Sequence, residues 1–454
     1  MNIIEAREKL LGSNRLERAY QLLVNQEDAR VCKDIDDQAC RVVPGNFFLQ
    51  VLTQFFTKLG DAIANPKTIL AWMLSALGAP GVFTAFLVPI RESGSLIPQL
   101  VIAAYVRLQS IRKWTFVLGC LLQAVAVFSM ALVAMTLEGT LAGFALLGAL
   151  IVFSLSRGLC SVASKDVLGK TVPKTRRGRV SGWSEFLAGL VTIGVGSVLL
   201  MTEGREPGDM TTYVLLLAIA GGLWLAGAAT YAMIREFPGA TEGGGNALTE
   251  AIKKLSLLKT DPPFRQFVIA RSLLLCSSLS APFFIMLAHQ ETSGALVVLG
   301  LFVIADGLAS LVSAPFWGQF ADKSSRRVMI IAGGGAALVG LVLVATVNLI
   351  PAMADSQWLY PAFFFLLAIT HAGVRLGRKT YVVDLASGNK RTDYVAVSNT
   401  VIGVVLLLAG SVGALTTVMP VSGVIVILAL MGLSGAALSY RLPEIDQVEA
   451  GDSR

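Results

Sequence analysis

From Phe47 onward the chain alternates long apolar runs with short polar ones, on a scale of about twenty residues rather than three or four. Ten runs read directly as helices: Trp114 to Ala134, Leu141 to Val162, Val180 to Met201, Thr212 to Ile234, Arg265 to Ala288, Gly294 to Trp317, Val328 to Leu349, Trp358 to Gly377, Val395 to Val418 and Val421 to Tyr440. Each is long enough to cross a hydrocarbon core of about 30 Å. The runs show none of the period-two alternation of a membrane β-barrel, so the pattern predicts an all-α integral membrane protein.

The segment before Arg112 is ambiguous. In "LVPIRESGSLIPQ", Leu87 to Gln99, Arg91 and Glu92 sit between two apolar stretches. Read as a hairpin loop, they are surface charges between helices Ile69 to Ile90 and Gly94 to Ser110. Read as the middle of a helix near Val82 to Ala104, they lie halfway across the membrane, and the first helix then runs near Phe47 to Leu74 and carries Lys58, Asp61 and Lys67. The second reading demands a polar cavity to receive those charges.

Basic residues separate the loops by side. The segments "RLQSIRK", "KDVLGKTVPKTRRGR", "ADKSSRR" and "RKTYVVDLASGNKR" hold sixteen Lys and Arg, and the opposite loops hold one, Arg205. The positive-inside rule places the first set in the cytoplasm, with both termini. The total is then twelve spans.

A polar, glycine-rich segment from 235 to 264, with a short amphipathic helix expected at Ala247 to Leu258, divides the pattern. The expected units are a cytoplasmic amphipathic tail over 1–46, a six-helix bundle over 47–234, the linker, a second bundle over 265–440 and a cytoplasmic tail over 441–454. The halves also repeat. A shift of 214 positions superposes Arg326 and Arg327 on Arg112 and Lys113, Lys379 on Lys165, and Arg391 on Arg177. The same shift lays the helix Gly294 to Trp317 over 80–103 and Asp306 over Glu92, which favours the mid-membrane reading. Repeats of this kind place a transport site near the bilayer midplane, where the halves meet.

Composition narrows the function. Of 454 residues 54% are hydrophobic and only 15% charged, and the net charge of +7 resides in loops, so topology rather than nucleic acid accounts for it. Five cysteines without ligand spacing and two histidines predict neither a disulfide framework nor a metal site. The tail lacks the apolar core of a signal peptide. No phosphate-binding Gly-x4-Gly-Lys-Ser/Thr loop and no catalytic constellation is present, so neither a nucleotide-driven pump nor an enzyme is expected, and no cofactor is.

The stretch "GQFADKSSRR", Gly318 to Arg327, resembles the signature loop of the major facilitator superfamily of secondary transporters, through Gly318, Asp322, Lys323, Arg326 and Arg327, with Ser325 where glycine is usual. The first-half copy has Ala104 and Leu108 at the Gly and Asp positions and keeps only Arg112 and Lys113. "NFFLQVLTQFFTKLGDAIAN" with "LSALGAP" is similar to that family's first helix and the turn after it. The Asp61 and Asn65 spacing is similar to a first-helix pattern of drug–proton antiporters, and Arg157 to the arginine of another antiporter motif. The fifth helix lacks their Gly-Pro pair. The resemblance implies twelve helices in two pseudo-symmetric bundles, alternating access, and a conformational role for the signature loop.

The site candidates are Glu92, Arg91, Asp61, Asn65, Asp306, Arg157, His371 and Arg375, to which Lys67 and Arg271 are added as weaker ones. A buried carboxylate can exchange a proton near neutral pH, and a buried arginine clamps a carboxylate or phosphate. Arg91 could equally neutralise Asp61. The expected function is movement of a small polar or anionic solute, coupled to protons, by a chain functional as a monomer in a bacterial cytoplasmic membrane. Proton-antiport efflux of amphipathic compounds, or a non-transporting sensor or assembly partner, are the alternatives.

Overall fold

The computed structural model describes residues 42–201, 210–239, 241, 254–292, 296–321, 324–385 and 390–444. Among these the secondary structure is helical and groups into twelve spans. Span 1 is Val43–Ile63 and Ile69–Ala76, span 2 Gly81–Leu96 and Gln99–Arg107, span 3 Lys113–Thr136, span 4 Gly139–Thr171, span 5 Lys174–Leu200 and span 6 Thr211–Ala232. Span 7 is Pro262–Leu273 and Cys276–Glu291, span 8 Leu296–Ala321, span 9 Ser325–Leu349, span 10 Leu359–Asp384, span 11 Lys390–Gly410 continued by a 3-10 turn over Ser411–Thr417, and span 12 Val421–Tyr440. The tail over 1–41 and most of the expected helix Ala247 to Leu258 lie outside the described residues.

Spans 3, 4, 6, 7, 9, 10, 11 and 12 are long and apolar enough to cross a membrane, by length and composition. Spans 1 and 2 are each broken into two shorter helices. Span 1 stops at Ile63 because Pro66 brings no N–H to the ladder. The Asn65 side chain instead accepts the Lys67 backbone N–H at 2.9 Å, and the helix resumes at Ile69. Span 2 carries Pro89 internally and breaks at Ile97 and Pro98. Arg91 and Glu92 therefore stand within a helix, and the hairpin reading is excluded. Span 7 is capped by Asp261, which accepts from the Phe264 N–H at 3.0 Å ahead of two prolines.

The first six spans pack on one another, as do the last six. Between the groups, span 5 lies along span 8 and span 2 along span 11. Close approach at one end depends on glycine: a Cβ at Gly413 of span 11 would sit 1.8 Å from that of Ala85 in span 2. Trp72 and Leu70, fully buried, close the same end against span 7, with the Trp72 and His289 rings 4.9 Å apart. At the other end, which carries the basic loops, spans 4 and 10 touch little. Apolar side chains such as Leu118, Val125, Leu132, Phe144 and Leu430 are exposed around the periphery, as a lipid-facing belt requires.

Candidate functional site

Asp61 occupies the last turn of the first segment of span 1, and two guanidiniums close on it. Arg91 of span 2 donates from Nη2 to Oδ1 at 2.6 Å, and Arg157 of span 4 donates from Nη1 to Oδ2. The Arg91 guanidinium also stacks 4.9 Å above the Phe153 ring. Arg91 is 6% exposed, so its burial is matched by charge, hydrogen bond and ring.

Consecutive helical residues diverge by about 100°, and while Arg91 turns to Asp61, Glu92 turns away. Among the described residues its carboxylate has no ion pair within 4.0 Å, although Arg91, Lys67, Arg157 and Arg378 lie within electrostatic reach.

The break in span 1 hands two residues to the opposite half. Asn65 donates from Nδ2 to Asp306 Oδ2 of span 8 at 3.2 Å. Lys67 Nζ lies 3.1 Å from His371 Nε2 of span 10, and His371 Nδ1 lies 3.1 Å from Ser277 Oγ of span 7. A charged lysine can only donate, so Nε2 accepts and the ring proton sits on Nδ1, directed at Ser277. That hydroxyl is free to accept, because it donates to the Leu274 carbonyl at 3.1 Å.

Span 10 brings His371, Arg375 and Arg378 onto one stripe at intervals of four and three residues. Sequence reading ended this helix at Gly377 and assigned Arg378 to a loop; the helix continues to Asp384 because backbone hydrogen bonding outlasts the apolar run. Arg375 is exposed and Arg378 half-buried, although both neighbour the charges of Lys67 or Glu92 deep between the halves, as side chains lining an open aqueous cavity would be. Behind them Arg271 of span 7, 7% exposed, donates to Ser398 Oγ at 2.7 Å and Asn399 Oδ1 at 2.9 Å of span 11. Ser398 and Asn399 were not anticipated, and nothing in a serine–asparagine pair marks it as a guanidinium seat. The eight candidates and Lys67 thus share one inter-half region, with Arg271 and Arg378 on its second-half wall.

The signature-loop residues form a separate cluster at the basic end. Span 9 is capped by Ser324, whose Oγ accepts the Arg327 N–H at 3.3 Å. Arg326 pairs with Glu444 at 2.6 Å and Arg327 lies 3.6 Å from the same carboxylate. Gly318 is in the last turn of span 8, while Asp322 and Lys323 lie outside the described residues. In the first half Arg112 pairs with Asp166, the backbone N–H groups of Arg112 and Lys113 donate to Glu236, and Lys113 donates to the Ala232 and Ile234 carbonyls that end span 6. Glu236 and Glu444 each stand four residues beyond the last helix of a half. Sequence reading missed both. No group of three or more metal-ligating side chains occurs among the described residues.

The model of the Major Facilitator Superfamily matches residues 289–453, the half that keeps the signature loop. No curated protein is similar in sequence. Solved structures are similar in fold: a D-xylose–proton symporter at 13% identity, covering 88% of this chain and 98% of its own with a TM-score of 0.65; the inward-open xylose transporter XylE from E. coli at 12%, covering 90% and 99% with 0.64; and the nucleoside transporter NupG at 12%, covering 87% and 99% with 0.66. The chain is a multi-pass membrane protein with the twelve-helix fold of the major facilitator superfamily, and it matches that superfamily's sequence model over its C-terminal part.

Proposed function

We propose that this protein is a secondary active transporter that moves a small polar or anionic solute by alternating access, coupled to protons. The observation that carries the reading is Glu92, a carboxylate halfway along span 2 with no ion pair among the described residues, set among cations contributed by both halves. Packing closes the region at one end and leaves spans 4 and 10 apart at the other. By the positive-inside rule the open end faces the cytoplasm, with both termini, in a bacterial cytoplasmic membrane. One chain supplies both halves, so a monomer suffices. Lys67, His371, Asn65 and Asp306 link span 1 to the second half and must part or re-form if the halves rock.

The test is proton flux into proteoliposomes enclosing a pH-sensitive dye, challenged with organic anions, sugars, amino acids and cationic drugs. Solute-triggered flux in the wild type that is lost in Glu92→Gln is the expected result. Flux driven only by amphipathic cations would favour antiport efflux. No flux with any solute would move the protein to the sensor class, where deleting residues 2–40 should abolish its phenotype.

A further inference from the structure

The two halves treat their cations differently. Arg91 and Arg157 share Asp61, whereas Arg271, Arg375 and Arg378, with Lys67 reaching in from span 1, have no carboxylate within 4.0 Å among the described residues. Arg271 makes only neutral hydrogen bonds, and its buried Nε has no partner. Asp306 lies within electrostatic reach of Lys67 and Arg375 but accepts its hydrogen bond from Asn65. Hydrogen bonds from serine and asparagine orient the buried Arg271 guanidinium without neutralising it, and Glu92 and Asp306 act on Lys67, Arg375 and Arg378 only from beyond 4.0 Å, so the cations gathered on this wall lack a direct ion pair.

We infer that the missing counter-ion is the solute itself: the substrate carries a doubly charged oxyanion group, phosphate or dicarboxylate, which docks on the second-half wall between Arg375, Arg378 and Lys67. The geometry favours that wall over the first half, whose guanidiniums are already engaged by Asp61. Arg375 and Arg378 stand three residues apart on one helix, so their forked donors point into the same space and can each take a pair of oxygens. Arg271 contributes positive potential from behind and stays locked to span 11. Asn65 and His371 supply neutral polar edges that suit the rest of a polar solute. This inference deepens the transporter reading, but binding at equilibrium tests it without requiring transport.

The experiment is thermal shift and calorimetric titration on the full-length protein in neutral detergent at constant ionic strength. The probes are inorganic phosphate, glycerol 3-phosphate and succinate, with acetate, glycerol and choline as monoanionic, neutral and cationic controls. The expected result is stabilisation by the dianions above all controls, with affinity reduced at least tenfold in Arg375→Gln and in Arg378→Gln and less in Arg378→Lys. Preference for glycerol or choline, no response to any anion, or anion binding that survives the double glutamine variant would overturn it. If a glutamine variant does not fold, the wild-type ranking of probes and the lysine variant decide. Nanodiscs of phosphatidylcholine with and without phosphatidic acid, whose phosphomonoester can carry two charges, separate the two sources of the oxyanion: competition by the anionic lipid assigns the site to a headgroup, its absence to a soluble solute. Dianion binding without flux would keep the site and remove the coupling proposal alone.

Discussion

In the first half two guanidiniums close on one carboxylate, and in the second three guanidiniums have none within 4.0 Å among the described residues. The halves are built on the same six-span plan, and a shift of 214 positions even lays His371 over Arg157 and Asp306 over Glu92. Yet the first half has an internal counter-ion at Asp61, and the second has its cations oriented by Ser398 and Asn399. Duplicated architecture with divergent charge separates two tasks. In the first half one carboxylate bridges two guanidiniums and ties spans 1, 2 and 4 together, while the second-half cations, which have no direct ion pair among the described residues, are the ones proposed to receive a ligand.

The sharpest way to break that contrast is Asp61→Asn. It leaves Arg91 and Arg157 facing one another without a carboxylate, and because Arg91 is buried while Asp61 and Arg157 are partly exposed, the loss costs about 2 to 3 kcal/mol. The expected outcome is a melting temperature lowered by several degrees and transport abolished, both measurable on detergent-purified protein and proteoliposomes. Next in size is Gly413→Val. A side chain there collides with Ala85, so the sealed end must open, and spin-label distances across that end should lengthen as flux falls at least tenfold.

A third test compares the two carboxylates at the basic end. The Glu236 side chain has no solvent exposure and accepts two backbone N–H groups as well as Lys170, so Glu236→Ala should lower stability by about 2 kcal/mol. Glu444, 25% exposed, should cost about 1 kcal/mol or less by the same chemical-denaturation measurement. The smallest effect is expected for Arg271→Met. Removing a buried cation that has no counter-ion should leave stability within about 1 kcal/mol of wild type or raise it. A loss as large as that of Asp61→Asn would erase the distinction between the halves.

Much of the fold was legible in the sequence, because crossing a bilayer imposes a length and an apolarity on each helix that loops do not share. The position of Glu92 was legible too, through the offset of the basic loops rather than local hydropathy, which left the hairpin open. The ends of spans 4 and 10 were misjudged for the converse reason. Helices there outrun the membrane, as Thr171 and Asp384 show, and hydropathy reports the membrane and not the hydrogen-bond ladder. Arg378 was lost from the candidates by that error alone. Glu236 and Glu444 were invisible because a single acid after a helix has no pattern until its partners are known.

The sequence by itself determined the class, the twelve spans, the duplication, and a set of mid-membrane charges, all of which follow from the cost of placing polar groups in hydrocarbon. The tertiary structure alone decided how those charges are distributed: that Arg91 and Arg157 meet one carboxylate, that Lys67 crosses to His371, and that Glu92, Arg375 and Arg378 form no ion pair within 4.0 Å among the described residues. Pairing depends on distances of a few ångströms between residues up to 304 positions apart, and no one-dimensional pattern carries that information.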